Sequence, residues 1–181
     1  MYVLSLAVVV LAVLVLLDLS LTAAVIRRLR VLGEQPPLPD AGGLPVGAEV
    51  PAFEVTTADG GVVTREAFSG RRTLVAFYST GCRGCREQAP GFVAEAGKLA
   101  AEGIEVLPVL MANGHGQDED EQEGKLRELL AGTGRLVVDD QGALPRAFAV
   151  QATPSYFVVG PDGRVTGKGL RLAESLGGSP S

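Results

Sequence analysis

The chain has no tryptophan, a single histidine and only two cysteines. A closed tetrahedral zinc site needs four thiolate or imidazole ligands. Cys82, Cys85 and a distant His115 supply three at most, which argues against a structural zinc site within one chain; no metal or other cofactor is expected. Positive charge is also scarce. The formal net charge is −5, and beyond Arg27, Arg28 and Arg30 there is no basic stripe, so nucleic-acid binding is not expected. The surplus of acid lies in Asp118-Glu119-Asp120-Glu121-Gln122-Glu123, ahead of Lys125-Leu126-Arg127-Glu128-Leu129-Leu130. Carboxylates there suit the first turn of a helix and its dipole, a simpler reading than metal binding or the docking of a basic partner.

Asp18 is the only charge between Tyr2 and Ile26. Twenty-five helical residues reach about 37 Å, enough to cross a bilayer with some tilt. A cleaved signal peptide would carry its basic residues ahead of the apolar run, whereas Arg27, Arg28 and Arg30 follow it. Thr22-Ala23-Ala24 is a weak cleavage site, and no cysteine is available for lipidation. A single N-terminal transmembrane helix over residues 2–26, inserted in the membrane, is therefore expected. Asp18 within it costs roughly 2.5–3.5 kcal/mol on insertion scales, relieved by a contact with a partner membrane protein or by protonation in a tilted helix. Residues 27–44 then form a basic juxtamembrane segment and a linker rich in Pro and Gly, residues 45–177 one domain, and 178–181 a disordered tail.

What the sequence does have is Cys82-Arg83-Gly84-Cys85, directly after the apolar run Leu74-Val75-Ala76-Phe77-Tyr78. The run reads as a buried strand, and Arg86 through Leu99 as a helix, so the cysteines stand at a strand-to-helix turn. Near a helix N-terminus the unpaired amides favour negative charge on the Cys82 sulfur. Arg83 would favour that thiolate electrostatically. Cys85, one helical turn on, is placed to resolve a mixed disulfide. Inert core cysteines are the competing reading.

Downstream, Ala152-Thr153-Pro154 precedes the apolar Ser155-Tyr156-Phe157-Val158-Val159, and Gly160-Pro161-Asp162-Gly163 marks a hairpin turn. A proline opening a strand is tolerated where its missing donor is not needed. Taken alone, a cis Thr153–Pro154 bond facing the cysteines and a trans proline starting an edge strand are equally compatible with this pattern; beside the cysteine pair, cis is expected.

In this order (strand, Cys82-Arg83-Gly84-Cys85, a helix containing Pro90, and Thr153-Pro154 before a hairpin) the chain resembles the thioredoxin fold. More narrowly it resembles membrane-tethered thiol–disulfide proteins of the TlpA/ResA type, including the MauD-like group. Val46-Gly47-Ala48-Glu49-Val50-Pro51-Ala52-Phe53 is similar to their "VGxxxPxF" opening, shared with peroxiredoxins. Cys85-Arg86-Glu87-Gln88-Ala89-Pro90 is similar to "CxxExP", and Phe157 through Val165 to "FxxxxDGxV". The similarity covers about residues 46–170. It departs where Gly81 stands in place of the usual Trp, and where Leu170–Leu176 is short for a last helix.

The resemblance implies an α/β domain with a central mixed β-sheet flanked by helices, and strands near 52–56, 73–79, 104–111, 135–139, 155–160 and 164–168. Helices are expected near 83–102, with a kink at Pro90, 118–131 and 143–148. It also implies a thiol–disulfide oxidoreductase with Cys82 as nucleophile and Cys85 as resolving thiol. Thr153 and Pro154 would line the substrate groove. The partners would be a disulfide- or dithiol-containing protein and an upstream membrane electron donor or acceptor. Cytochrome c, copper-site or amine-dehydrogenase maturation are the settings known for such proteins, and no residue here selects among them. A Sco-type copper site would need His115 beside the cysteines. A peroxiredoxin-like peroxidase is the alternative enzyme: Ser79 stands three before Cys82, but Val75 takes the place of the expected proline. A non-catalytic binding module is the third reading. Two arguments disagree on topology. The arginines after the span favour a cytoplasmic domain, whereas the resemblance implies the extracytoplasmic side, where disulfides persist.

Overall fold

The structure is a computed structural model that describes residues 42–111 and 117–177. The expected anchor over 2–26, most of the linker, His115 and the tail 178–181 lie outside the described residues. Among the described residues, no helix is long and apolar enough to cross a membrane.

The apolar run before the cysteines forms β3 (Thr73–Ser79), buried along its whole length. Because side chains alternate across a strand, Leu74, Ala76 and Tyr78 face one core while Val75 and Phe77 face another. Such a strand belongs in the middle of a sheet. It does: the five-stranded order is β5 (Val137–Val138), β4 (Glu105–Met111), β3, β6 (Ser155–Val159), β7 (Val165–Gly169). β4 is parallel to β3 and to β5, while β6 is antiparallel to β3 and to β7. This is the central mixed sheet of the thioredoxin-like fold.

On one face lie α1 (Arg83–Ala101) and α2 (Gln117–Ala131). The inward residues of α1, Cys85, Ala89, Phe92, Ala96 and Leu99, recur at the three- and four-residue spacing of a helix stripe. The helix runs through Pro90, which stands on its exposed side. Short as it is, α4 (Leu172–Gly177) closes this layer by packing Leu172 and Leu176 onto the same core. Its approach to β7 requires glycine: a Cβ at Gly167 would lie 2.1 Å from the Ser175 carbonyl oxygen. The other face is covered by β1 (Glu54–Thr56), β2 (Val62–Thr64), a 3-10 turn (Arg65–Phe68) and α3 (Ala143–Ala147). There Phe77, Phe148 and Phe157 meet with ring centroids 5.2–5.8 Å apart.

Three details differ from the sequence reading. β1 pairs with β2 in a separate small hairpin, tied to the main sheet by a bridge between Thr57 and Val137. The strand expected over 135–139 shrinks to Val137–Val138, because the chain turns at Asp139 into α3. The domain begins before residue 45: Gly42 bridges Val150, and the Leu44 amide donates to the Phe148 carbonyl at 2.8 Å.

Asp139 is the polar anchor of this half of the fold. Its buried carboxylate accepts from the amides of Gly142 (2.7 Å), Ala143 (3.2 Å) and Leu144 (2.8 Å) at the start of α3. Asp139→Ala would orphan those amides, and is expected to lower unfolding free energy by about 2 kcal/mol. A urea denaturation midpoint unchanged from the parent would contradict that role.

Candidate active site

The chain leaves β3 at Ser79 and turns through Thr80 and Gly81 to Cys82, the N-cap of α1. Cys82 has extended backbone (φ −92°, ψ 113°), and its sulfur accepts a hydrogen bond from the Cys85 amide at 3.1 Å. Sulfur here occupies the place a Ser or Asp oxygen takes at other helix starts, filling one of the donors the helix leaves unpaired. Negative charge developing on it is met by that amide and by the positive end of the helix dipole.

Cys85 comes from the same turn but points inward. It is fully buried, in a cluster with Tyr78, Phe92 and Tyr156, whereas Cys82 is partly exposed. Burial first, and the hydrogen bond with Cys82 second, push the Cys85 thiol up from the ordinary 9.0 to about 12. Both cysteines are free thiols.

The second wall of the site comes from the antiparallel partner of β3. Phe77 pairs with Ser155, so the residues before β6 lie beside the residues after β3. The Thr153–Pro154 peptide bond is cis. The Cys82 thiol donates to the Thr153 carbonyl at 3.1 Å, and the Ser155 hydroxyl donates to the Ala152 carbonyl, closing the turn. The structure thus brings Cys82, Cys85, Thr153 and Pro154 together.

A model of the AhpC/TSA family matches residues 46–168. The chain belongs to that family. Among curated proteins, this AhpC/TSA member is similar to the thiol-disulfide oxidoreductase ResA of Bacillus thuringiensis, at 24% identity across 72% of this chain and 74% of ResA. It is similar also to the thiol-disulfide oxidoreductase YkuV of Bacillus subtilis, at 31% identity across 63% of this chain and 80% of YkuV. Among solved structures, the thioredoxin domain of a thiol-disulfide oxidoreductase from Bacteroides vulgatus matches 72% of this chain and 92% of its own. The TM-score is 0.59 and the identity 23%. A chain described provisionally as the thiol:disulfide interchange protein DsbE of Chlorobium tepidum matches 73% and 91%, with a TM-score of 0.57 at 24% identity. At these identities the structural likeness establishes the thioredoxin-like fold.

Arg83 of this AhpC/TSA chain forms an ion pair along the surface of α1. Its guanidinium is turned outward, 85% exposed, and pairs with Glu87 at 2.8 Å one turn along the helix. The i,i+4 geometry and open solvent favour that carboxylate. Arg86, the next arginine, instead ties α1 to α2 by donating to Gln122 at 2.7 Å.

One feature of the site escapes sequence reasoning. The hydroxyls of Tyr78 and Tyr156 meet at 2.9 Å in the core beside Cys85, and burial pushes the ionisation of both upward. The available signal was a Tyr two residues after Pro154 and another in the strand before Cys82, but only the β3–β6 register shows that they touch. Among the described residues, no group of three or more His, Cys, Asp and Glu side chains could hold a metal ion.

The contrast between the thiols has a direct readout. Iodoacetamide at pH 8 is expected to add a single carbamidomethyl group to the reduced protein, at Cys82, since a thiol titrating near 12 is only about 10⁻⁴ ionised there. Cys85 should react only once denaturant exposes it. Equal labelling of both cysteines in the folded protein would contradict the assignment.

Proposed function

We propose that this chain is a membrane-tethered thiol–disulfide oxidoreductase that exchanges disulfides with cysteine pairs of partner proteins. One observation carries the reading: a partly exposed Cys82, capping a helix and touching the Thr153 carbonyl, stands one turn from a buried Cys85. The names of its relatives and the family match support the same chemistry.

In the forward direction the Cys82 thiolate attacks one sulfur of a substrate disulfide. A Cys82–substrate disulfide forms, the substrate S–S bond breaks, and the other substrate sulfur leaves with the electron pair and takes up a proton. Cys85 then loses its proton and attacks the Cys82 sulfur. The second substrate sulfur leaves as a thiol, and a Cys82–Cys85 disulfide remains. Two electrons pass from enzyme to substrate, and an upstream membrane dithiol donor must return them. The reverse sequence, on the same residues, oxidises a substrate dithiol and hands the electrons to an acceptor.

The timing follows from burial. Cys85 is held as a thiol in the resting reduced enzyme, so it does not compete with Cys82 for substrate; it acts when the mixed disulfide offers a sulfur one helical turn away. A second thiol one turn away serves disulfide exchange directly, and Val75 stands in β3 where a peroxidase of this superfamily places a proline.

The apolar stretch 2–26 supports a tether, and the Pro- and Gly-rich segment Gln35–Gly43 a short spacer. We place the domain on the extracytoplasmic face, where a disulfide substrate persists; the arginines after the span are then the exception to the charge rule. A membrane-impermeant maleimide applied to intact reduced cells is expected to label Cys82. Labelling only after lysis would put the domain in the cytoplasm.

Cys82→Ser is expected to reduce exchange with a protein disulfide to the uncatalysed rate. Cys85→Ser should complete only the first half-reaction and accumulate a Cys82–substrate mixed disulfide, visible by mass. Undiminished turnover in the Cys82→Ser protein would remove it as the nucleophile.

A further inference from the structure

We propose that Gly43 is a positioning residue for the reaction: with Gly42 and Leu44 it forms a brace that sets where the Thr153 carbonyl stands beside the Cys82 sulfur. This rests on the oxidoreductase reading above. Residues 151–154 belong to no helix or strand, yet the Thr153 carbonyl lies 3.1 Å from that sulfur. From Ser155 onward the chain is fixed by β6. On the other side of the loop the amides of Phe148, Ala149 and Val150 return to α3, at Leu144, Arg146 and Pro145. Their outward partner is the brace. The Leu44 amide donates to the Phe148 carbonyl at 2.8 Å, Gly42 bridges Val150, and Leu44 packs on the cluster that holds Phe148 and Phe157.

The brace fits because two of its residues lack side chains. Gly42 and Gly43 hold φ of +62° and +85°, which residues with a Cβ rarely adopt. A Cβ at Gly43 would stand 2.5 Å from Phe157 Cζ and 3.1 Å from the Phe148 carbonyl oxygen. The Phe157 ring packs against Phe77 and Phe148, with centroids 5.8 and 5.2 Å away, so a close-packed core leaves it little room to retreat. A methyl group at position 43 would therefore push the brace off Phe148, at the head of the segment that leads to Thr153. Ala149, between two braced residues, is itself held at φ +48°. A non-glycine residue stays in that conformation only where its surroundings over-determine it. Once released, the segment relaxes and carries the Thr153 carbonyl away from Cys82.

The test uses the full-length protein, a peptide closed by one disulfide, and iodoacetamide. Exchange requires a disulfide to be aligned beside Cys82, whereas alkylation requires only a reachable thiolate. Gly47 supplies the control. It holds φ +87° and a Cβ there would meet nothing within 4 Å, so Gly47→Ala carries the backbone strain without the collision. Gly43→Ala is expected to lower kcat/KM for the peptide by about 10-fold or more relative to Gly47→Ala. Its Cys82 should be alkylated no more slowly and its Cys85 should stay protected, a pattern that a merely loosened fold would not give. Equal kcat/KM in the two variants overturns the proposal, as does alkylation slowed as far as exchange. Labelling of both cysteines would show that Gly43→Ala has opened the domain; Leu44→Ala, which loosens the brace without a collision, is then read by the same two outcomes. Failure of the parent to exchange with the peptide would instead overturn the oxidoreductase reading itself.

Discussion

Phe77 pairs with Ser155 across β3 and β6, and the geometry of the site descends from that register. Antiparallel strands carry their chains in opposite directions, so the residues just after β3 meet those just before β6. Cys82 comes from the first set and Thr153 from the second, far apart in sequence and 3.1 Å apart in space. A slip of one residue would turn every β6 side chain to the opposite face. It would take Tyr156 away from Tyr78 and expel Phe157 from its aromatic cluster. Such a slip is opposed by the whole core on both sides of the sheet, and the Cys82–Thr153 contact inherits its precision from that hydrophobic packing.

The helix start supplies the second constraint. Four amides at the head of α1 lack helical partners, and a sulfur at the N-cap satisfies one of them. Cys85 sits three residues on because that is where the helix turns inward, and its burial follows from the same stripe that buries Ala89 and Phe92. Two chemically identical side chains therefore differ in environment for purely geometric reasons. Cys82 is left partly exposed, and burial holds Cys85 as a thiol. Arg83, which follows Cys82 in the chain, pairs with Glu87.

Much of this was legible in the residues. The apolar run of β3, the spacing of Cys82 and Cys85, and Thr153-Pro154 before a second apolar run carry strong local signals. Strand, turn and helix follow from them with little help from the rest of the chain. What was not legible depends on tertiary partners. β2 has three residues with an exposed Val62, too short for an alternation to show. Gly42–Leu44 read as linker because their composition is that of one, and only the backbone of Phe148–Val150 makes them part of the domain. The pairing of Arg83 with Glu87 depends on how two exposed side chains leave the helix, which residue spacing alone permits but does not require. The Tyr78–Tyr156 contact spans more than 60 residues, and local pattern carries no trace of it.

The central claim is that Cys82 and Cys85 form one two-electron couple. It is tested most directly by equilibrating the full-length protein in glutathione buffers of graded potential and measuring the fraction of internal disulfide by mass. The account predicts a single transition between dithiol and Cys82–Cys85 disulfide, with a tenfold change in their ratio for roughly each 30 mV. A protein that never forms the internal disulfide at any potential, or that ends as a glutathione adduct on Cys82 alone, would contradict it.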